Sequence, residues 1–182
     1  IYSGSGDTLH FAWSGFSDAE SDIGHYQYAL GTSVGGTNTV YWTMAALDSS
    51  RTLSDLNLNS GTPYYASVKA LDLAGNWSSV VSSDGVMIDL DDPVVGIVND
   101  GDSDDINWSN LATSISGNWS GFSDGISGIA FYEYAVGISP SAGDIIDWTL
   151  NGTATSFDSS GLTLTSGTTY YISVRATDNV GN

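Results

Sequence analysis

A six-residue run occurs twice. Trp13-Ser14-Gly15-Phe16-Ser17-Asp18 returns letter for letter as Trp119-Ser120-Gly121-Phe122-Ser123-Asp124, 106 positions further on. At that offset the match continues without a gap from Trp13 to Asn76 and from Trp119 to Asn182, with 30 of the 64 aligned positions identical. A repeat of this length sets the architecture before any local signal is read. The 182 residues are two copies of one domain, expected over 1–91 and 92–182. Ile1 aligns with Asn107 and Asn182 with Asn76, so the first copy is expected to lack its first strand and the second its last. That pattern suits a window on a longer tandem array.

Neither copy carries a helical period. Short runs of Val, Ile, Thr, Tyr and Trp alternate with Gly, Ser, Asn and Asp clusters, which is a strand-and-turn pattern. Strands are expected in copy one near 8–13, 24–31, 40–44, 52–58, 64–72 and 79–88, the last interrupted at Ser83-Asp84-Gly85. Copy two repeats them near 114–119, 130–137, 145–150, 157–164 and 170–178, after an edge strand near 94–98. Seven short strands per domain, separated by frequent turn signals, indicate an all-β fold of tandem antiparallel β-sandwiches.

Leu58-Asn59-Ser60-Gly61-Thr62-Pro63-Tyr64-Tyr65-Ala66-Ser67-Val68-Lys69-Ala70 adds a specific resemblance, and Leu164 to Ala176 repeats it. A leucine six residues before a tyrosine, followed by alternating small apolar residues, resembles the fifth-to-sixth strand region of a fibronectin type III domain. The resemblance places Trp13 and Trp119 as the core tryptophans of the second strand. It also makes Tyr64 and Tyr170 corner tyrosines, whose hydroxyls tie back to the backbone upstream. With Ala74-Gly75-Asn76-Trp77-Ser78, the wording is similar to fibronectin type III-like modules of large bacterial surface and secreted proteins. The integrin-binding Arg-Gly-Asp loop known in that family is absent.

Charge narrows the partners. Twenty-one acidic residues stand against Arg51, Lys69 and Arg175, a net of −18, which repels nucleic acid and anionic membranes. No apolar run approaches the ~18–20 residues of a membrane span. Cysteine is absent, so no disulfide or thiolate site exists. Nineteen of the acids are Asp, a residue that favours turns and oxygen-ligand metal sites.

Calcium is the expected cofactor. Asp84, Asp89, Asp91, Asp92, Asp100, Asp102, Asp104 and Asp105 crowd the stretch joining the two copies. Of these, Asp89, Asp91, Asp92, Asp100, Asp102, Asp104 and Asp105 are the first candidate ligand set, because Ca²⁺ takes six to eight oxygens. A solvated acidic linker of Asp turns is the competing reading. The second set is Asp18 with Asp72 and Asp124 with Asp178. The resemblance places their loops at one end of a sandwich, whereas capping of each loop's own turn is the simpler role. Trp42 and Trp148 recur at one position and are the candidate sugar-stacking residues, against ordinary strand packing. His10 and His25 have no counterparts in copy two, where Ser116 and Phe131 stand, so no catalytic set is assigned. Asn-x-Ser/Thr occurs at Asn76, Asn107, Asn118 and Asn151.

The expected role is that of an extracellular, non-enzymatic repeat segment: a stalk, fibre or adhesin shaft stiffened by calcium. Its expected partners are neighbouring repeats or copies of the same protein, with a cell-surface glycan or protein receptor. The alternative is a carbohydrate-binding or spacer module of a secreted polysaccharide-degrading enzyme. Completion of an open sandwich by a neighbour's strand would instead give a polymer.

Overall fold

A computed structural model describes residues 1–182. The chain divides into two compact units, Ile1–Leu90 and Asp91–Asn182. All its regular structure is strand; no helix is long and apolar enough to cross a membrane.

The first unit contains β1 (Tyr2–Ser3), β2 (Leu9–Ala12), β3 (Ile23–Gly31), β4 (Val40–Met44), β5 (Ser50–Leu53), β6 (Pro63–Asp72), β7 (Val81–Ser82) and β8 (Val86–Ile88). One sheet runs β1-β8-β6-β3-β4, with β7 also on β6, and the other is the pair β2-β5. The second unit contains β9 (Ile97–Asp100), β10 (Ser114–Ser120), β11 (Ile129–Gly137), β12 (Ile146–Gly152), β13 (Ser156–Ser160) and β14 (Tyr171–Asp178). Its sheets are β13-β10-β9 and β12-β11-β14. Each unit is the two-sheet, largely antiparallel sandwich expected of it.

Six strands were expected in each copy of the seven-strand domain; the second unit has six and the first has eight. In the first unit the expected interruption at Ser83-Asp84-Gly85 divides the last strand into β7 and β8. Two residues at the start add β1, parallel to β8. The expected strands at 52–58 and 157–164 stop early, at Leu53 and Ser160. Asp55 and Gly161 sit at positive φ (57° and 78°) and turn the chain. Pairing then resumes without a regular strand: Leu56 and Leu58 donate to the carbonyls of Asp7 and Gly6, and Leu162 and Leu164 to those of Thr113 and Ala112.

Period-two alternation places one face of each strand inside. Leu9, Leu30, Leu58, Tyr64 and Ile88 form one cluster of the first unit. Tyr28, Ala45 and Val68 form another, lined by Phe11, Trp13 and Phe16. In the second unit Trp119, Tyr132, Val136 and Phe157 are the centre. Burial of each large side chain contributes about 1.5–3 kcal/mol. Tyr64 Oη accepts the Asn59 N–H at 3.1 Å and Tyr170 Oη that of Thr165 at 2.8 Å, so both corner tyrosines are present.

Candidate metal centre

Asp124 ends the repeated six-residue run, and Asp178 ends β14. The chain after each curls back onto its carboxylate. Asp124 Oδ1 accepts the N–H groups of Ile126 (3.1 Å), Ser127 (2.7 Å) and Gly128 (2.7 Å). Asp178 Oδ1 accepts those of Val180 (2.9 Å), Gly181 (2.7 Å) and Asn182 (2.9 Å), while its Oδ2 takes Asn182 Nδ2 at 2.9 Å. These are Asx turns, which hold a carboxylate in its ionised form.

The two loops bring the carboxylates together, with oxygens within 4.8 Å of one another. Asp178 is only 2% exposed, and Asp124 is half-buried. The Gly128 N–H holds the Asp124 carboxyl below the ordinary 3.8, with Ile126 and Ser127 helping, against burial and the Asp178 charge. At Asp178 burial pushes upward, and the N–H groups of Val180, Asn182 and Gly181 with the Asn182 carboxamide outweigh it. Two like charges are thus kept ionised side by side.

The first unit repeats the device. Asp18 Oδ1 accepts the N–H groups of Glu20 (3.0 Å) and Ser21 (2.7 Å), and Asp72 takes the N–H of Asn76 at 2.7 Å and its Nδ2 at 2.9 Å. Both carboxyls are lowered, Asp18 chiefly by the Ser21 N–H and Asp72 by the Asn76 N–H. Asp18 also feels the Asp72 charge.

Paired ionised carboxylates suit a hard cation such as Ca²⁺, which needs six to eight oxygens. The Oδ1 atoms carry the backbone bonds of the turns, so ligation would run through Oδ2, which in Asp178 also accepts Asn182 Nδ2. Asp124 Oδ2 lies outside these turn bonds, and the Asp91 carbonyl, 3.2 Å from Asn182 Nδ2, adds an oxygen beside the Asp178 turn. This donor set fits a hard cation in kind, with carbonyls or water needed to complete the number.

Asp89 is fully buried at the end of the first unit, its N–H donating to the Ser3 carbonyl. Asp91 and Asp92 are exposed. Asp100 lies on β9, its N–H donating to Asp105 Oδ1 at 3.2 Å, and burial and the Asp105 charge raise its carboxyl. Asp102, Asp104 and Asp105 are exposed on the turn after it, and that turn gathers no three carboxylates within 4.8 Å of one another.

Trp42 and Trp148 are half-buried, and each has a cation over its ring. Lys69 Nζ lies 4.6 Å from the Trp42 centroid and 4.3 Å from that of Trp77; the Arg175 guanidinium lies 4.4 Å from that of Trp148. The ring face beneath each cation is not open to a sugar. Arg175 is also ion-paired with Glu133 at 2.8 Å, whereas the residue opposite Lys69 is Gln27. The tryptophans stand out in the sequence, and their cation partners do so less. The signal was there: two of only three cations occupy one repeat position. His10 Nδ1 meets Thr52 Oγ1 at 3.0 Å, and His25 stands edge-on to Trp77.

No protein-family model and no curated protein matches the sequence. The structure is similar to a crystal structure of the chicken CNTN1 FN1-FN3 domains, with 17% identity and a TM-score of 0.44. The match covers 98% of this chain, which spans 57% of that one.

Proposed function

We propose that the chain is a spacer segment of an extracellular protein, in which repeated sandwiches hold other parts of the molecule, or of its assembly, at a distance. The supporting observation is the duplicated framework. Core tryptophan, corner tyrosine, paired Asp turns and cation-capped tryptophan recur at the 106-residue offset in two self-contained cores. The two histidines have no counterparts in the second copy. Length in such a molecule scales with copy number, and neighbouring repeats or copies of the chain are its partners.

Pulling the chain by its ends in a single-molecule experiment tests this. Two unfolding steps are expected, each releasing about 300 Å for a unit of ~90 residues. A single step, or extension without resistance, would contradict the spacer reading.

Calcium deepens it. Asp124 and Asp178 would hold Ca²⁺ through their outer oxygens, relieving the repulsion between them. At a hundred times its dissociation constant, one such ion adds about 2.7 kcal/mol. The chain should melt several degrees higher in millimolar calcium than in chelator. That difference should vanish in Asp124→Asn, which removes a charge and keeps a turn acceptor. Equal melting with and without calcium would remove the ion from the account and leave the spacer standing.

A further inference from the structure

Among the four Asn-x-Ser/Thr sequences, the fold treats one differently. Asn76 is locked to Asp72 through both its N–H and its carboxamide, and its partner Ser78 Oγ accepts the Ala70 N–H at 2.9 Å. Asn118 lies on β10, between β9 and β13, with Nδ2 donating to the carbonyls of Gly101 and Ser103 at 3.0 Å each. Asn151 Nδ2 donates to the carbonyls of Ala154 (2.9 Å) and Ser156 (3.1 Å), which closes the turn that carries the chain from β12 in one sheet to β13 in the other. Each of these carboxamides has work inside the fold, and the backbone around it is held.

Asn107 is the exception. It stands exposed in the strand-free stretch between β9 and β10. Residues 107–110 make no backbone hydrogen bonds; the nearest anchors are Ile106 N–H to the Asp100 carbonyl and the Ala112 carbonyl to Leu164. Ser109 Oγ accepts the Leu111 N–H at 3.1 Å and still has its own proton to donate. An acceptor sequence must leave its own structure to lie in an enzyme's cleft, and unbonded backbone does so at least cost. Apolar surface surrounds the asparagine: Trp108 is 93% exposed, Leu111 59% and Ile106 44%. Exposed apolar patches of this kind mark surfaces that something covers.

We infer that Asn107 is an N-glycosylation acceptor, and that it is the one the folded chain offers. The donor class is a polyprenyl-diphosphate-linked oligosaccharide. Asn107 Nδ2 bonds to the anomeric carbon, the bond from that carbon to the diphosphate oxygen breaks, and the amide gives up one proton. Lipid diphosphate leaves. The attached sugar then covers Trp108, whose ring faces suit the C–H face of a pyranose. The inference rests on the extracellular reading, since such transferases act on chains leaving the cytoplasm, but it is tested separately from the spacer role.

The purified, folded chain is incubated with an oligosaccharyltransferase that reads only Asn-x-Ser/Thr and with its lipid-linked donor. Intact mass and peptide mapping read the product. Peptides of residues 70–82, 101–113, 112–124 and 145–157 serve as unfolded acceptors. The expected result is one glycan on the folded chain, at Asn107, absent from Asn107→Gln and Ser109→Ala. All four peptides should accept. A folded chain that gains no mass, or gains it at Asn76, Asn118 or Asn151, would overturn the inference, as would failure of the 101–113 peptide. Neither failure changes the two-step extension expected of a spacer.

Discussion

Four residues other than glycine have positive φ: Asp22 (59°), Ala46 (47°), Asp55 (57°) and Ser141 (63°). At the 106-residue offset each faces a glycine in the other copy, at Gly128, Gly152, Gly161 and Gly35, also with positive φ. The backbone path has been kept where glycine has not. An L-residue in this region costs roughly 1–2 kcal/mol, less for Asp, whose side chain bonds locally. Ala46 has no such help and is exposed. Ala46→Gly should therefore raise stability by about 0.5–1 kcal/mol, after the unfolded-state cost of glycine is subtracted. Gly152→Ala should lower it by a similar amount. Urea midpoints measure both, and a loss of stability in Ala46→Gly would refute the strain argument. The corner tyrosines give a second residue-level prediction. Tyr64→Phe removes the acceptor of the Asn59 N–H and Tyr170→Phe that of Thr165; both N–H groups belong to exposed residues and can turn to water, so each costs about 0.5–1.5 kcal/mol by the same urea measurement.

At the scale of elements, the Asp turns make stability depend on acid. Asp18, Asp72, Asp124 and Asp178 all have carboxyls below the ordinary 3.8. Their contribution is therefore fully present above that value and is lost as the pH falls through the lower, folded values. Asp100 is raised and works in the opposite sense. Melting temperature should fall on acidification below about pH 4. The fall should be shallower in Asp124→Asn, and an identical acid limb in that variant would show that the turn is not responsible. The strands themselves were legible, because alternation in Tyr64–Asp72 and the turn clusters are local signals. Strand ends at Leu53 and Ser160 were not, since a single positive-φ residue decides them. Asp124 and Asp178 were legible as a pair only through the repeat and the loop positions that the resemblance supplied. The cations over Trp42 and Trp148 depend on cross-strand register, which the sequence does not state.

For the whole molecule, the repeat predicts two cores rather than one. Every cluster of buried apolar residues lies within a single unit. The measurement that tests this most directly is differential scanning calorimetry of the intact chain, comparing the calorimetric enthalpy with the van't Hoff enthalpy. Near 60 °C, unfolding of ~180 residues should absorb about 130 kcal/mol in total, while each cooperative transition should fit about 65 kcal/mol. A ratio near two, or two resolved peaks, is the predicted result. A ratio near one would mean a single cooperative body, and would contradict an account built on two repeated, self-contained sandwiches.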